Sequence, residues 1–471
     1  MTADLAALSE ASAARIAERR ESFGLAARRR ALNDLRRAID AHRTDLLAAV
    51  RADLGRPEAE TALLELMPLA QELSHVRRNL RRWMRPRRAL PGISMIGTKA
   101  HVVPQARGLC LIIAPWNYPV LLALGPLVSA LAAGNAVMLK PSELAPATSA
   151  VVARLLRTAF PADLVAVAEG GAEVAEGLLA LPFDHIFFTG STAVGRVVMA
   201  AAAKTLASVT LELGGKSPAI VGPDADIGAA ARSLAWGKFA NNGQTCVAPD
   251  HIHVHHSIAA PFQAALVDAI GSLFGRGAGA RSSDSYARIV NERHFDRLST
   301  LLQDAVARGA TLVTGGQTSR PDRFIAPTVL TDIPEASRLS EEEIFGPILP
   351  LLPYDDLDEL IATINRGPRP LALYLYARDR ALAETVIART RSGTVGVNLS
   401  VVQFAHPNLP FGGVNNSGIG NAHGFFGFKA FSHERAVLAG GPFSALKLLF
   451  PPYTPGKVKL SQRMVAAIRR L

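Results

Sequence analysis

Cys246 and Glu212 are the side chains of this chain best placed by type and setting to do chemistry. Cys246 sits in Asn241-Asn242-Gly243-Gln244-Thr245-Cys246-Val247-Ala248-Pro249, a turn-forming stretch that offers one thiol to solvent or substrate and can aim backbone N–H groups inward. A lone cysteine is equally a small buried hydrophobe, so the loop alone does not decide the matter. Glu212 lies in Leu211-Glu212-Leu213-Gly214-Gly215-Lys216, a carboxylate among apolar neighbours. Desolvation raises a carboxyl pKa and suits it to general-base work near neutral pH, while a plain partnership with Lys216 is the alternative.

Two further stretches carry ligand chemistry. Lys140-Pro141-Ser142-Glu143 sets a cation and a carboxylate after a short apolar strand, where open α/β sheets bind ligands. Thr189-Gly190-Ser191-Thr192-Ala193-Val194-Gly195 opens a helix whose N–H groups could meet a phosphate. It is neither G-x-G-x-x-G nor a P-loop, and an ordinary strand-to-helix turn with Ser191 as N-cap reads equally well. His251, His253 and His255 alternate along one strand face with His256 beside them, a pattern that favours a polar strand face over a metal site. Glu341-Glu342-Glu343-Ile344-Phe345-Gly346-Pro347 combines acids, an aromatic residue and a tight turn, and by itself reads as a solvated acidic loop.

The elements that must position these residues follow from periodicity. Residues 1 to about 85 read as helices, and Arg88 to Val103, with Pro91-Gly92, as a connector leading into an extended segment. Strands are expected at Leu109–Ile113, Ala136–Leu139, Leu164–Val167, His185–Phe188 and Ser208–Leu213, with helices in most of the gaps. That alternation predicts an α/β fold with a parallel sheet covered by helices. A second α/β unit is expected after Asp224, with helix Ala229–Ala240, strand His251–Val254, helices Ala260–Phe274 and Glu292–Arg308, and strands Thr311–Thr314 and Ile348–Leu352. Gly393–Asn398 reads as a strand entering a long loop, and Pro410–Gly418 as glycine-rich chain close to other backbone.

The chain has 471 residues, 49% of them hydrophobic and 19% charged, enough for two large domains with real cores. Its two cysteines, Cys110 and Cys246, build no disulfide framework, and the start lacks a signal-peptide pattern, which predicts a reducing, cytoplasmic setting. The net charge of +11 comes largely from arginines before residue 90, among them Arg28-Arg29-Arg30, Arg77-Arg78, Arg81-Arg82 and Arg87-Arg88. Their helical spacing among Ala and Leu, without a nucleic-acid reading motif, predicts a solvated helix face and no nucleic-acid partner. The apolar run Leu109–Ala133 is interrupted by Pro115, Pro119 and Pro126 and divides into strand, turn and helix rather than a membrane span. The tail from Lys457 to Leu471 has a basic amphipathic pattern, with Val458, Met464, Val465, Ile468 and Leu471 partly sharing a face. Terminal packing or fraying is the cheaper reading of it.

Taken in order, IAPWNYP at 113–119, KPSE at 140–143, FTGS before Gly195, LELGGK at 211–216, GQTC at 243–246, EEIFGP at 342–347 and PFGG at 410–413 resemble the NAD(P)-dependent aldehyde dehydrogenase superfamily. The likeness is greatest to class 3 and coniferyl-aldehyde-type members. The resemblance implies a Rossmann-like cofactor domain (1–87 and 104–213), an α/β catalytic domain (214–416), a small β oligomerisation arm (88–103 and 428–445) and a C-terminal tail (446–471). It implies that Cys246 attacks the aldehyde carbon, that Asn117 and the Cys246 N–H hold the oxyanion, and that Glu212 activates the water that cleaves the thioester. It places Lys140 and Glu143 on the adenosine ribose, Trp116 and Ser191 near the pyrophosphate, Glu343 on the nicotinamide ribose and Phe345 beside the ring, with Ser142, Gly190, Gly195 and Leu213 as further cofactor-binding residues. Tyr118 and Phe411 are implied as substrate-lining residues, and no metal is implied.

NAD is the implied cofactor, because a carboxylate at the ribose repels a 2′-phosphate, although class 3 members often accept NADP too. The resemblance also implies a homodimer, and the basic tail permits a weak membrane-surface association. Asn415, Asn416 and His251 depart from the residues usual at their positions. Two rival readings are a coenzyme-A-acylating dehydrogenase, against which Glu212 argues, and a catalytically silent binding homologue, against which Cys246, Asn117 and Glu212 together argue.

Overall fold

The computed structural model describes residues 2–90, 95–441 and 450–468. Six strands form the first sheet, in the order Gly418–Ile419, Ser208–Glu212, His185–Thr189, Leu109–Ile113, Ala136–Lys140 and Val165–Val167. All neighbours are parallel except the short Gly418–Ile419 edge, which runs antiparallel to Ser208–Glu212. The strands at 109–113, 136–140 and 185–189 are buried along their whole length, as strands covered on both faces must be. The apolar run that could have crossed a membrane is strand Leu109–Ile113 followed by helix Leu121–Ala133, buried almost throughout inside the domain.

Helices Leu25–Ala41 and Met67–Trp83 lay their apolar stripes over Leu121–Ala133 and enter the same core through Leu32, Leu35, Leu73, Val76 and Leu80. Each such buried leucine is worth roughly 1.5–3 kcal/mol. Arg29, Arg30, Arg81, Arg82, Arg87 and Arg88 are exposed, as a solvated face requires. Arg28 departs from that pattern. Its guanidinium donates to Phe23 O (2.8 Å) and to Ala132 O (3.0 Å), satisfying a carbonyl at the end of the buried helix, where intrahelical donors run out.

The second sheet has seven strands, in the order Thr311–Thr314, Thr328–Thr331, Ile348–Tyr354, His251–His255, Pro218–Val221, Ala372–Tyr376 and Thr394–Val397. Only the Thr311–Thr314 edge is antiparallel. Helices Ile227–Phe239 and Ala259–Phe274 cover one face around Leu234, Phe239, Phe262 and Leu266. A third, antiparallel sheet joins Arg87–Ala89, Thr98–Ala106 and Ser432–Gly440, the last two paired over their full length. Of the segments expected to form an arm and a tail, 91–94, 442–449 and 469–471 lie outside the described residues. Helix Pro455–Ile468 leaves Val458, Leu460 and Val465 exposed.

The histidines of strand His251–His255 have local partners. His251 Nδ1 lies 3.2 Å from Asp250 Oδ2, its ring meets that of His253 edge-on, and His255 Nδ1 is 2.8 Å from Ser257 Oγ. Among the described residues no group of three or more ligating side chains is placed to hold a metal ion.

Candidate active site

The cysteine loop begins where helix Ile227–Phe239 ends. Asn241, Asn242 and Gly243 then take φ of 49°, 57° and 73° in succession, a left-handed turn that asparagine and glycine accept more readily than other residues. At Gly243 a Cβ would stand 2.3 Å from Gly346 O, so the chain passes the EEIFGP turn too closely for any side chain. The polar residues of the loop are buried, and apart from Asn242 Oδ1 their side-chain nitrogens and oxygens are bonded. Asn241 Nδ2 donates to Asn117 O (2.9 Å) and Gln244 O (3.1 Å), and Asn242 Nδ2 to Ala287 O (3.0 Å). Gln244 Nε2 donates to Arg288 O (2.9 Å) while its Oε1 accepts from Val290 N (2.9 Å). Thr245 Oγ1 shares a 2.9 Å hydrogen bond with Tyr118 OH. The loop is therefore a fixed mount rather than a mobile solvent loop, and Cys246 is its half-buried tip.

Cys246 lines a narrow cavity of about 30 Å³ together with Glu212, Phe187, Leu122, Phe411 and His423. That volume holds a water molecule or two. Glu212 closes strand Ser208–Glu212, is 5% exposed, and neither carboxylate oxygen has a hydrogen-bond partner. Burial alone pushes its pKa well above the ordinary carboxylate range. The Cys246 thiol is pushed up to about 12, by burial first and then by the Glu343 and Glu212 carboxylates. The N–H groups of Cys246 and Val247 act in the opposite sense, favouring the thiolate. Asn117, in the turn after strand Leu109–Ile113, is buried and donates through Nδ2 to Gln244 O at 3.0 Å, two residues before the cysteine. Phe411 meets His423 edge-on at 5.4 Å, and burial lowers the His423 pKa to about 4, so the ring is neutral. Tyr118 lies under the Arg56 guanidinium, with its hydroxyl on Thr245.

The residues expected to hold a cofactor gather at the carboxyl ends of the first sheet and on the loop facing them. Lys140 ends its strand buried, its ammonium on Glu143 Oε2 (2.8 Å) and Pro141 O (3.2 Å), with Glu143 reaching solvent. Ser142 Oγ accepts from Leu144 N (3.2 Å). Gly190 N donates to Glu212 O (3.0 Å), and Ser191 caps helix Thr192–Thr205 by accepting from Val194 N (3.4 Å). Gly195 lets that helix close on Leu213, whose side chain a Cβ would meet at 2.7 Å. Thr192 Oγ1 donates to Asn416 O (2.8 Å), while Asn415, at φ 55°, supplies the left-handed turn that its residue type suits.

The acidic loop is not solvated at its functional end. Glu343 is half-buried, its pKa raised to about 7 by burial, and it crosses Gly214 so closely that a Cβ there would stand 2.4 Å from its carboxylate. Lys216 holds this loop rather than pairing with Glu212. Its ammonium donates to Asp250 Oδ2 (2.6 Å), Leu339 O (2.8 Å) and Glu342 O (2.9 Å), and Asp250 Oδ1 accepts from Ile344 N (2.8 Å). Phe345 takes φ 48° and meets Trp116 edge-on at 5.4 Å, with His294 on Trp116 at 5.2 Å. A helix N-terminus flanked by carboxylates, Glu143 on one side and Glu343 on the other, fits a dinucleotide, with a hydrogen-bond acceptor for each ribose and N–H groups for the pyrophosphate.

Three side chains at the site have no signal in the sequence reading. His423 follows no motif, and Arg56 and Glu65 lie in the N-terminal helical region, both fully buried and paired at 2.5 Å.

Residues 2–437 match the aldehyde dehydrogenase family. The chain is 42% identical over 427 residues to aldehyde dehydrogenase family 3 member H1 of Arabidopsis thaliana, covering 90% of this chain and 88% of that protein. It is 40% identical to the 4,4'-diaponeurosporen-aldehyde dehydrogenase of Staphylococcus aureus, over 92% and 93% of the two chains. The solved structure of the substrate-bound state of Staphylococcus aureus AldH superposes with a TM-score of 0.92 at 38% identity, over 97% of this chain and 98% of that one. The chain belongs to the aldehyde dehydrogenase family and has its fold. It is an NAD(P)-dependent oxidoreductase acting on aldehydes.

Proposed function

We propose that the chain oxidises an apolar aldehyde to the carboxylic acid in two stages on Cys246. The observation that carries the reading is the shared cavity of Cys246 and Glu212, with both Glu212 oxygens unengaged. Cys246 Sγ adds as thiolate to the carbonyl carbon, and the Asn117 amide and Cys246 N–H receive the oxygen as it becomes an alkoxide. When bound, the nicotinamide supplies the acceptor for the hydride that leaves this carbon, so that a thioester remains on Cys246. Glu212 as carboxylate takes a proton from a water in the cavity, the resulting hydroxide adds to the thioester, and Sγ leaves as the acid forms. Water rather than the thiol of coenzyme A is the acyl acceptor, because Glu212 has no other duty in the cavity.

Lys140, Ser142 and Glu143 would hold the adenosine ribose, Gly190, Ser191 and Gly195 the pyrophosphate, and Leu213, Glu343 and Phe345 the nicotinamide end, with Trp116 against Phe345. Glu143 supports NAD as the preferred cofactor, with NADP as the weaker one. Leu122, Phe187, Phe411 and the neutral His423 support aromatic or medium- to long-chain aldehydes, whereas Tyr118 stands outside the lining of this cavity and acts on it through its hydroxyl bond to Thr245. The experiment is a panel of aliphatic, aromatic and terpenoid aldehydes with NAD and with NADP, with and without coenzyme A. Reduced cofactor with free acid as product is expected for apolar members. Formation of acyl-coenzyme A, or no reduction with any aldehyde, sinks the reading.

The cofactor domain (1–87 and 104–213), catalytic domain (214–416), arm and tail are proposed with the boundaries given above. The exposed edges of the sheet Arg87–Ala89, Thr98–Ala106 and Ser432–Gly440 support a homodimer, which sedimentation would read. Two free thiols agree with a reducing cytoplasm. Helix Pro455–Ile468, with Lys457, Lys459 and Arg463 beside exposed valines, supports weak contact with anionic membranes, read by pelleting with anionic vesicles.

A further inference from the structure

Among the described residues Arg56 heads the large side chains buried without exposure, and a buried cation is tolerated only when it is paired and hydrogen-bonded. One end nitrogen pairs with Glu65 Oε1 at 2.5 Å, Nε donates to Asn241 Oδ1 at 3.0 Å, and the other end nitrogen donates to Asn117 O. The guanidinium carbon stands 4.5 Å from the centre of the Tyr118 ring. Glu65 Oε2 accepts from Val120 N (2.8 Å) and Leu121 N (2.9 Å), the entry to helix Leu121–Ala133, where an anion is favoured. Glu65 itself lies in the π-helical turn Ala62–Leu66, a local departure that proteins often keep at functional sites. One ion pair therefore ties together three stretches, since Asn117 and Asn241 are 61 and 185 residues from Arg56 in sequence.

We propose that Arg56, anchored by Glu65, is a positioning residue that fixes Asn117 relative to the cysteine loop, so that the Asn117 amide faces the oxygen of the substrate bound to Cys246. The inference rests on the oxyanion role given to Asn117 above. The Asn117 carbonyl is gripped from two sides, by Arg56 and by Asn241 Nδ2 (2.9 Å), which stops its peptide from rotating. Asn241 is in turn oriented by Arg56 through Oδ1 and holds Gln244 O, which also accepts from Asn117 Nδ2. Oxyanion donor and nucleophile thus share one bonded frame whose hub is a planar fork with fixed donor directions, which a point charge reproduces only in part. Misplacing such a donor by about 1 Å forfeits much of its contribution.

The test is a double-mutant cycle read in the first turnover. The variant Arg56→Met/Glu65→Gln removes both charges of the 2.5 Å pair and leaves an acceptor for Val120 and Leu121 N–H. Adding Glu60→Gln, whose side-chain oxygen can still accept from Asn241 N, removes the remaining carboxylate, 3.7 Å from Arg56 Nε. The double variant is expected to slow the first reduction of cofactor about 10- to 100-fold, with KM for NAD unchanged and with only part of the rate regained in Arg56→Lys. In an Asn117→Ala background the same pair should add less than about threefold, because the donor it positions is gone. Glu65→Gln alone keeps Arg56 in place and serves if the double variant does not fold. It is expected to lose about three- to tenfold, with the same dependence on Asn117. A wild-type rate in these variants, or a loss that recurs undiminished in the Asn117→Ala background, overturns the proposal. If Asn117→Ala alone loses less than about tenfold, the oxyanion reading itself fails.

Discussion

Replacing Glu212 by Gln keeps the size of the side chain and removes its ability to take a proton, and the two stages of the reaction should respond differently. In the mechanism proposed above, attack by Cys246 and hydride loss do not need the Glu212 carboxylate, whereas thioester hydrolysis does. A positioned general base is worth about 10²- to 10⁴-fold, or roughly 3–5 kcal/mol of barrier. The structure argues for the lower end. His423, with a pKa of about 4, is too weak a base, but Glu343, with a pKa of about 7, also acts on Cys246 and leaves a second carboxylate near the sulfur. We therefore expect about a 10²-fold loss in steady-state rate after a burst of about one reduced cofactor per active site, followed by rapid-mixing absorbance. Equal loss in burst and steady state, with no accumulated thioester, refutes the assignment. The same variant carries a control on folding. The folded protein holds the Glu212 proton above pH 4.5, where the unfolded chain has lost it, so wild-type stability falls as pH rises from there toward the raised folded value. The Gln variant lacks that loss, and its advantage in Tm over wild type should widen with pH across this window.

Glu343→Gln removes the carboxylate that, after burial, does most to hold the Cys246 proton, so the thiol pKa should fall below about 12. Alkylation by iodoacetamide, followed against pH without cofactor, should move to lower pH and run severalfold faster at pH 8, roughly in proportion to the thiolate present. An unchanged profile would place Glu343 away from the sulfur. Gly243→Ala forces a side chain into a backbone at φ 73° and against Gly346 O at 2.3 Å. A loss of about 2–4 kcal/mol in denaturant unfolding is expected, with activity falling in step. A neutral result would mean that the loop and the EEIFGP turn are not in contact.

Strands whose ends carry the chemistry were legible because each is a short apolar run that ends in a polar turn. Leu109–Ile113 and Thr311–Thr314 stand where periodicity put them, and Ala136–Lys140, His185–Thr189 and Ser208–Glu212 differ by one residue at the end. Pro218–Val221, Thr328–Thr331 and Ala372–Tyr376 escaped the reading for physical reasons. Two of them are four residues long, and the third, ALYLY, is buried on both faces, so it lacks the alternation that marks a strand. The motif residues Cys246, Glu212 and Asn117 were legible from the resemblance. Arg56 and Glu65 were not, since a buried ion pair in an arginine-rich helical region looks locally like any solvated pair.

The polar loop around Cys246 invites the view that its side chains do chemistry, but most of their bonds go to backbone carbonyls and N–H groups and the rest to framing side chains such as Arg56 and Tyr118. Lys216 on the acidic loop is likewise bonded to two carbonyls and to Asp250. The division follows from solvation. A polar group inside a protein is either bonded or expensive, so the groups that hold the frame are the bonded ones. Glu212, left with two unpaired oxygens, has a raised pKa that costs stability at neutral pH. Such a cost persists where the group has work to do. Unsatisfied carboxylate and bonded loop are thus two sides of one arrangement, in which rigid neighbours let the desolvated Glu212 carboxylate and the Cys246 thiol face the same small volume.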